Sequence, residues 1–284
     1  MYNPEYTRTF YNAYGPAEWA RLEATAYGRL QAVIHEDFIR RYLKHGDRVL
    51  DAGSGPGRFS ILAARAGARV TALDISDKQL EIAGQKIAES GQTAGIERCV
   101  RADICDLSLF PDGRFDMVIC FGAVLTYVCE KRRQAAAELV RVTRPGGVIL
   151  VGVGSKLGAV QGVAQQPDLV TLKEPDKPTD HGPALWDVLA SGDLSGFPSR
   201  AAGMMHAPMH LFTAAELQAL FTGCEILETA GSNVALREYA PSNERVAADP
   251  AAWAAVVELE KKINHDPGLV NCGSHIIMAV RKKP

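Results

Sequence analysis

Apolar positions along the chain switch repeatedly between two periods. From Thr25 to Lys44 they recur at helical spacing (Leu30, Val33, Ile34, Phe38, Tyr42), which predicts an amphipathic helix, and His45-Gly46-Asp47 breaks it. Arg48 to Ala52 is a short apolar run opening onto a glycine-rich turn and reads as a buried strand. Arg58 to Ala66 returns to helical spacing, and Gly67 stops it as a C-terminal cap would. The alternation goes on with a strand at 69–73, a helix at 77–89 and a strand at 97–102. A strand at 115–121, a helix at 131–142 and a strand at 148–153 follow. Strands separated by helices of this length predict βαβ units, hence a doubly wound α/β fold whose mostly parallel sheet is covered on both faces. Right-handed crossovers then gather the loops after the strands along one edge.

The flanks depart from this rhythm. Residues 1–24 are polar but rich in aromatics, with Tyr2, Tyr6, Phe10, Tyr11, Tyr14 and Trp19. Beyond Gly154 the pattern loosens: residues 155–210 carry prolines, glycines and charges, with one helix expected near 184–190. A helix at 214–221 follows, with Thr213 as N-cap and Glu216 completing a capping box. A strand at 225–229, a helix at 250–263 and a last strand at 275–280 complete the reading. The expected organisation is an N-terminal lid with the first helices (1–44), a ligand-binding core (45–154), an inserted cap (155–210) and a C-terminal part of the sheet (211–284).

Composition narrows the function more than the fold. Of 284 residues 47% are hydrophobic, enough for a sizeable core. Lysine plus arginine number 31 against 33 acidic residues, and the net charge of −2 argues against a nucleic-acid partner. The basic triplets Lys131-Arg132-Arg133 and Arg281-Lys282-Lys283 are short and isolated. The six cysteines show no C-x-x-C spacing, which disfavours a zinc knuckle or redox dithiol. Met1 to Glu5 does not resemble the start of a secretory leader, and no run of about 18 apolar residues could cross a bilayer. Reduced thiols in a cytoplasmic protein, with neither metal nor membrane contact, are therefore expected. Oligomeric state is left open.

The chemistry centres on Asp51-Ala52-Gly53-Ser54-Gly55-Pro56-Gly57, between a predicted strand and a predicted helix. Glycines there let backbone approach a ligand, and the helix start offers free N–H groups. Asp74 closes the next strand, 19 positions beyond Gly55, where a carboxylate can accept hydrogen bonds from both hydroxyls of a ribose. A dinucleotide fingerprint needs G-x-G-x-x-G, but Arg58 stands at the third glycine position. Asp51 would repel a pyrophosphate and suits a ligand bearing an ammonium group.

Val49 to Gly57 resembles the first signature of class I S-adenosylmethionine-dependent methyltransferases. Leu73-Asp74-Ile75-Ser76 with Gln79 is similar to the second, ribose-binding signature, and Ala102-Asp103-Ile104 to the third, whose acid faces the adenine amino group. Phe115 to Cys120 resembles the fourth strand, and Arg144-Pro145-Gly146-Gly147 the turn before the fifth. The resemblance implies S-adenosylmethionine as cofactor and a Rossmann-like seven-stranded sheet with an antiparallel last strand. It places Asp51, Gly53, Ser54, Gly55, Gly57, Asp74, Ile75, Gln79, Asp103, Ile104, Cys120 and Phe121 on the cofactor. The family's tight link between its last two strands is replaced here by a long segment, 232–274.

Small-molecule members of the family also resemble this chain in an aromatic N-terminal segment folding over the site. On that reading Tyr14 and Arg21 touch the cofactor, Arg21 through its carboxylate, while Tyr11 and Trp19 face the acceptor. The same residues can instead simply pack the helix on the sheet. The acceptor pocket is expected to draw on 155–210, above all Met205, His206 and His210; the two histidines are candidates to take a proton from the acceptor, or plain connector residues. Pro208 keeps them from forming an i, i+4 zinc pair. Phe121-Gly122-Ala123-Val124 lacks the pattern of base-amino methyltransferases, and acids are missing where the metal-dependent catechol type has them. The expected reaction is methyl transfer to a small-molecule nitrogen, oxygen or sulfur nucleophile, giving S-adenosylhomocysteine. A cyclase or lyase consuming the cofactor, or a non-catalytic cofactor-binding module, would use the same motifs.

Overall fold

The computed structural model describes residues 1–164, 186, 188–194, 198–199, 201–238 and 240–284. Three helices come first: α1 (Pro4–Tyr14), α2 (Ala17–Arg21) and α3 (Ala26–Tyr42). Asn3 caps α1 by accepting from the Tyr6 N–H, and Thr25 caps α3 by accepting from the Gly28 N–H. The alternating core follows as β1 (Arg48–Ala52), α4 (Arg58–Arg65), β2 (Arg69–Asp74), α5 (Asp77–Glu89), β3 (Ile96–Arg101) and β4 (Phe115–Cys120). Then come α6 (Val124–Tyr127), α7 (Arg132–Val142), β5 (Thr143–Gly154), α8 (Lys156–Ala164) and α9 (Ala214–Gln218). The chain ends with β6 (Cys224–Ser232), α10 (Asn243–Ala248), α11 (Pro250–Ile263) and β7 (His275–Lys282).

One seven-stranded sheet in the order β6-β7-β5-β4-β1-β2-β3 organises the molecule. β1 to β5 pair in parallel, while β7 runs antiparallel to both β5 and β6. The expected sheet and its reversed last strand are thus present. Two buried layers flank it. Leu30, Ile34 and Phe38 of α3 pack with Phe59 and Leu62 of α4 on one face; Ala135 and Leu139 of α7 pack with Phe212 and Leu217 on the other. Parallel order puts the C-terminal ends of β1, β2 and β4 side by side, so the loops after them share one edge.

Two local readings are corrected. The expected turn at Arg144–Gly147 lies inside β5: the ladder with β4 shifts register between Phe115 and Met117, and Gly146 takes a positive φ of 72°. Residues 156–164, read as irregular, form a helix whose start is held by the Ser155 hydroxyl, which accepts from Gly158 N–H and donates to the Asn271 carbonyl. The helix expected near 184–190 falls partly outside the described residues; 186 and 188–191 are helical. The long link at 232–274 also acquires a structural role. Trp253, Val256 and Val257 of α11 pack on the α3 layer, and the buried Glu260 carboxylate accepts the N–H groups of Val234 (3.0 Å) and Ala235 (2.7 Å).

Gly57, expected on the cofactor, has a packing role instead. It is the N-cap of α4 at φ 86°, and a Cβ there would stand 3.1 Å from the Ala83 Cβ on α5. Gly57→Ala should lower stability by about 1–3 kcal/mol through left-handed strain and overpacking. Chemical denaturation should show this loss with ligand affinity changed less than about threefold. An affinity loss without a stability loss would return Gly57 to the site.

Candidate functional site

A cleft opens at the C-terminal edge of β1, β2 and β4. Its floor is the loop after β1, where Gly53 and Gly55 hold positive φ values of 85° and 51°. Gly53 and Ser54 donate their N–H groups to the Leu73 carbonyl (2.7 and 2.8 Å), which ties the loop to the end of β2. A Cβ on Gly53 would overlap Val124, whereas one on Gly55 would meet nothing closer than Glu18 Cγ at 3.7 Å. Asp74 completes the cradle: one carboxylate oxygen accepts the Gly55 N–H and the other the Ser76 N–H, each at 2.8 Å. The Ser54 hydroxyl is buried in this wall without a hydrogen-bond partner.

Asp103, just beyond β3, is also engaged. It accepts the Cys105 N–H and the Tyr2 hydroxyl, each at 2.8 Å. Ile75, Ile104, Ala102 and Leu73 make the apolar flank beside it, and Phe121 with Gly122 continues the wall past β4. The opposite side comes from the N-terminal helices. Tyr11, Glu18, Arg21 and Leu22 line the cleft, joined by Tyr127 of α6. Tyr127 is positioned through Thr126, whose hydroxyl accepts the Gly154 N–H at 2.9 Å. The N-terminal helices are strapped to the start of α5. Asn12 accepts from the Ser76 hydroxyl (2.7 Å) and the Lys78 N–H (3.1 Å). The Gln79 amide donates to the carbonyls of Tyr11 (3.1 Å) and Gly15 (2.9 Å).

Burial shifts the charges of this site. It raises Asp51, beneath the loop, to about 7, against the 2.6 Å hydrogen bond from the Ser60 hydroxyl. It raises Asp74 to about 6, opposed by the hydrogen bonds from Ser76 and Gly55. Burial also pushes the Tyr11 and Tyr127 phenols up, Tyr127 to about 12, so both stay protonated at neutral pH.

Of the residues expected on the ligand, Tyr11, Arg21, Gly53, Ser54, Gly55, Asp74, Ile75, Asp103, Ile104 and Phe121 stand together in the cleft wall. Others do not, each for a physical reason. Asp51 is buried one layer below, and Cys120 lies in the sheet's core. Gln79 is a strap. Tyr14 stacks on Phe10 (centroids 5.7 Å apart), and Trp19 sits outside the cleft beneath the Arg58 guanidinium, 4.2 Å from its ring centre. Met205 is half-exposed (48%), and its carbonyl accepts from the Tyr6 hydroxyl. His206 packs behind the wall between Phe10 (4.2 Å) and Tyr127 (5.5 Å), its pKa lowered by burial. His210 is buried in a two-residue ladder with Asp193–Leu194, its Nδ1 2.7 Å from the Asp193 carboxylate. Neither histidine reaches the cleft. Sequence reasoning missed Tyr2, Glu18 and Tyr127. An i, i+3 acid–base spacing marks Glu18 and Arg21; Tyr2 and Tyr127 carry no local signal.

The orphaned Ser54 hydroxyl, the open space over Gly55 and the acids at the ends of β2 and β3 fit a nucleoside with a polar arm. A family model described as a methyltransferase domain matches residues 50–151. Residues 50–151 thus carry a methyltransferase domain. A malonyl-(acyl-carrier protein) O-methyltransferase of Serratia marcescens is 43% identical over 126 residues, 44% of this chain and 46% of that one. The chain thus spans under half the length of that relative. The crystal structure of a Methanosarcina mazei S-adenosylmethionine-dependent methyltransferase shares the fold, with a TM-score of 0.56 at 19% identity over 87% of this chain and 97% of that one. So does the cyclase SpnF, with a TM-score of 0.55 at 22% identity over 88% of this chain and 80% of that one. Fold likeness alone therefore does not choose the reaction. Among the described residues no helix is long and apolar enough to cross a membrane, and no group of three or more His, Cys, Asp or Glu could hold a metal ion.

Proposed function

We propose that the chain is a cytoplasmic enzyme that transfers a methyl group from S-adenosylmethionine to a small-molecule nitrogen, oxygen or sulfur nucleophile. The observation that carries this reading is the cradle itself, with Asp74 bound to the Gly55 N–H in a cleft roofed by Tyr11, Arg21 and Tyr127. Asp74 would hold the ribose hydroxyls, Asp103 the adenine amino group, and Ile75 and Ile104 the adenine faces. Asp51 would balance the ammonium group and Arg21 the carboxylate. When bound, the cofactor supplies an activated methyl group on a sulfonium.

The chain's own residues supply orientation and dryness. Phe121, Tyr11 and Tyr127 exclude water from the cleft, and the two phenols, protonated at neutral pH, can donate hydrogen bonds but not accept a proton. His206 and His210 lie outside the wall, so orientation and desolvation carry the reaction without either of them as base. The N-terminal helices support the reading, because Tyr11, Glu18, Arg21 and Leu22 roof the cleft. The relative's name makes an oxygen acceptor on an acyl group the first to try.

Product analysis tests this. The protein, S-adenosylmethionine and a panel of small amines, alcohols, carboxylic acids, thiols and acyl thioesters should yield S-adenosylhomocysteine and a methylated acceptor. Methylthioadenosine as the product would mean instead that the aminobutyrate arm is consumed, and cofactor binding without turnover would mean a binding module.

Asp51 also predicts a pH dependence with two opposite signs. Its raised pKa means that the folded protein binds the proton more tightly than the unfolded chain. The associated stability is full below about pH 4 and is lost as pH rises through about 7. Pairing with an ammonium group needs the ionised form, so cofactor affinity should climb over pH 5.5–7.5, by up to about tenfold per unit. Melting temperature without ligand should fall over the same range. Affinity flat across this window would remove Asp51 from ammonium binding.

A further inference from the structure

Glu18 is the acid in the cleft wall with no part in the scheme above. It projects from α2 over the glycine loop, its Cγ 3.7 Å from the point a Gly55 Cβ would occupy, and its side chain is only 16% exposed. Its carboxylate is gripped by Arg21, through Nη2 at 2.6 Å and Nε at 3.2 Å to both oxygens. Arg21 Nη1 reaches the Gln31 side-chain carbonyl at 3.4 Å, which keeps the guanidinium at the cleft from a second side.

The charge balance of the wall makes this pair informative. Glu18, Asp74 and Asp103 face two cations, Arg21 and Arg58. Arg58 is held elsewhere, by the Glu23 carboxylate at 2.7 Å and the Trp19 carbonyl at 3.2 Å. Arg21 is thus the countercharge within the wall, and Glu18 acts across the cleft, raising the pKa values of Asp74, Tyr11 and Tyr127. An acid in so dry a place is costly without a cation beside it. A cationic ligand can take over that duty and release Arg21, still tethered by Gln31, for an anionic group.

We infer that Glu18 biases the cleft toward the cationic sulfonium cofactor and against its neutral thioether product, by exchanging Arg21 for the ligand's positive charge. This rests on the cofactor reading above. The two ligands differ by one methyl group and one charge, so a residue that senses the charge moves their ratio of affinities, whereas a merely structural residue moves both together.

The test is titration calorimetry of the full chain and of Glu18→Gln with S-adenosylmethionine, S-adenosylhomocysteine and adenosine. In Glu18→Gln the affinity for S-adenosylmethionine should fall about tenfold or more, that for S-adenosylhomocysteine less than about threefold, and that for adenosine not at all. Glu18→Asp, which keeps the charge, should stay within about threefold of the parent ratio. Equal losses for both aminoacyl ligands, or no loss, would overturn the inference. A parent protein that binds none of the three would instead overturn the cofactor reading. Adenosine binding serves as the check that the variant is folded.

Discussion

Gly55→Val raises the dissociation constant for S-adenosylmethionine at least about 100-fold while the protein remains folded. The separation of these effects follows from what surrounds each glycine. Among the described residues a Cβ on Gly55 meets only Glu18 Cγ within 4 Å, at 3.7 Å, so the branched side chain grows into the cleft. The backbone at φ 51° adds a left-handed strain of about 1–2 kcal/mol, a tolerable loss for a domain of this size. The ligand cannot share that volume, because its approach to the loop's N–H groups needs a residue without a side chain. Gly53→Ala should behave in the opposite way. Its Cβ would overlap Val124 at the start of α6, so stability falls first and affinity follows. Calorimetry paired with thermal melts distinguishes the two glycines. Unchanged affinity in Gly55→Val would place the ligand elsewhere.

The second large effect belongs to Asp74. Asp74→Ala removes a carboxylate that would accept ribose hydroxyls, which costs about 1.5–3 kcal/mol for hydrogen bonds to a charged group, or about 10–150-fold in affinity. It also frees the N–H groups of Gly55 and Ser76, both held at 2.8 Å, so the loop loses an anchor as well as a ligand partner. Asp74→Asn separates the contributions, since its amide oxygen can still hold one N–H while the charge is gone. Affinity should therefore fall in the order parent, Asp74→Asn, Asp74→Ala. If Asp74→Ala bound as tightly as the parent, the acid at the end of β2 would have no place in the site.

The alternating core was legible because β1, β4 and β5 hold short buried apolar runs, and β1 leads into the glycine loop while β2 ends in Asp74. That is why the glycine loop after β1 and Asp74 could be tied to a ligand from their place between strand and helix, and to S-adenosylmethionine through the family resemblance. The helix at 156–164 was hidden for the opposite reason. Its apolar residues are spread around the axis and interrupted by Gly158 and Gly162, so no period emerges. Gly158 is small because a Cβ there would collide with the Gly273 carbonyl, a long-range contact that sequence does not display.

The candidate site divides in the same way. Tyr11 and Arg21 were accessible to chemical reasoning, since an aromatic and a guanidinium near the loop suit a charged ligand. Their neighbour Glu18 was not, because its value depends on lying over Gly55. The histidines show the converse error. His206 and His210 have suitable chemistry, but Tyr127 and Phe10 screen the first, and the ladder with Asp193 encloses the second. Which edge of a cap faces the cleft is decided by tertiary packing, and the local pattern is silent about it.

On the proposed function, the cleft between the N-terminal helices and the Gly53–Gly57 loop binds S-adenosylmethionine. Titration calorimetry of the full chain with S-adenosylmethionine and with NAD tests it most directly. One site with micromolar affinity for S-adenosylmethionine and no heat of binding for NAD is the expected result. Tighter binding of NAD, or no binding of S-adenosylmethionine, would contradict it.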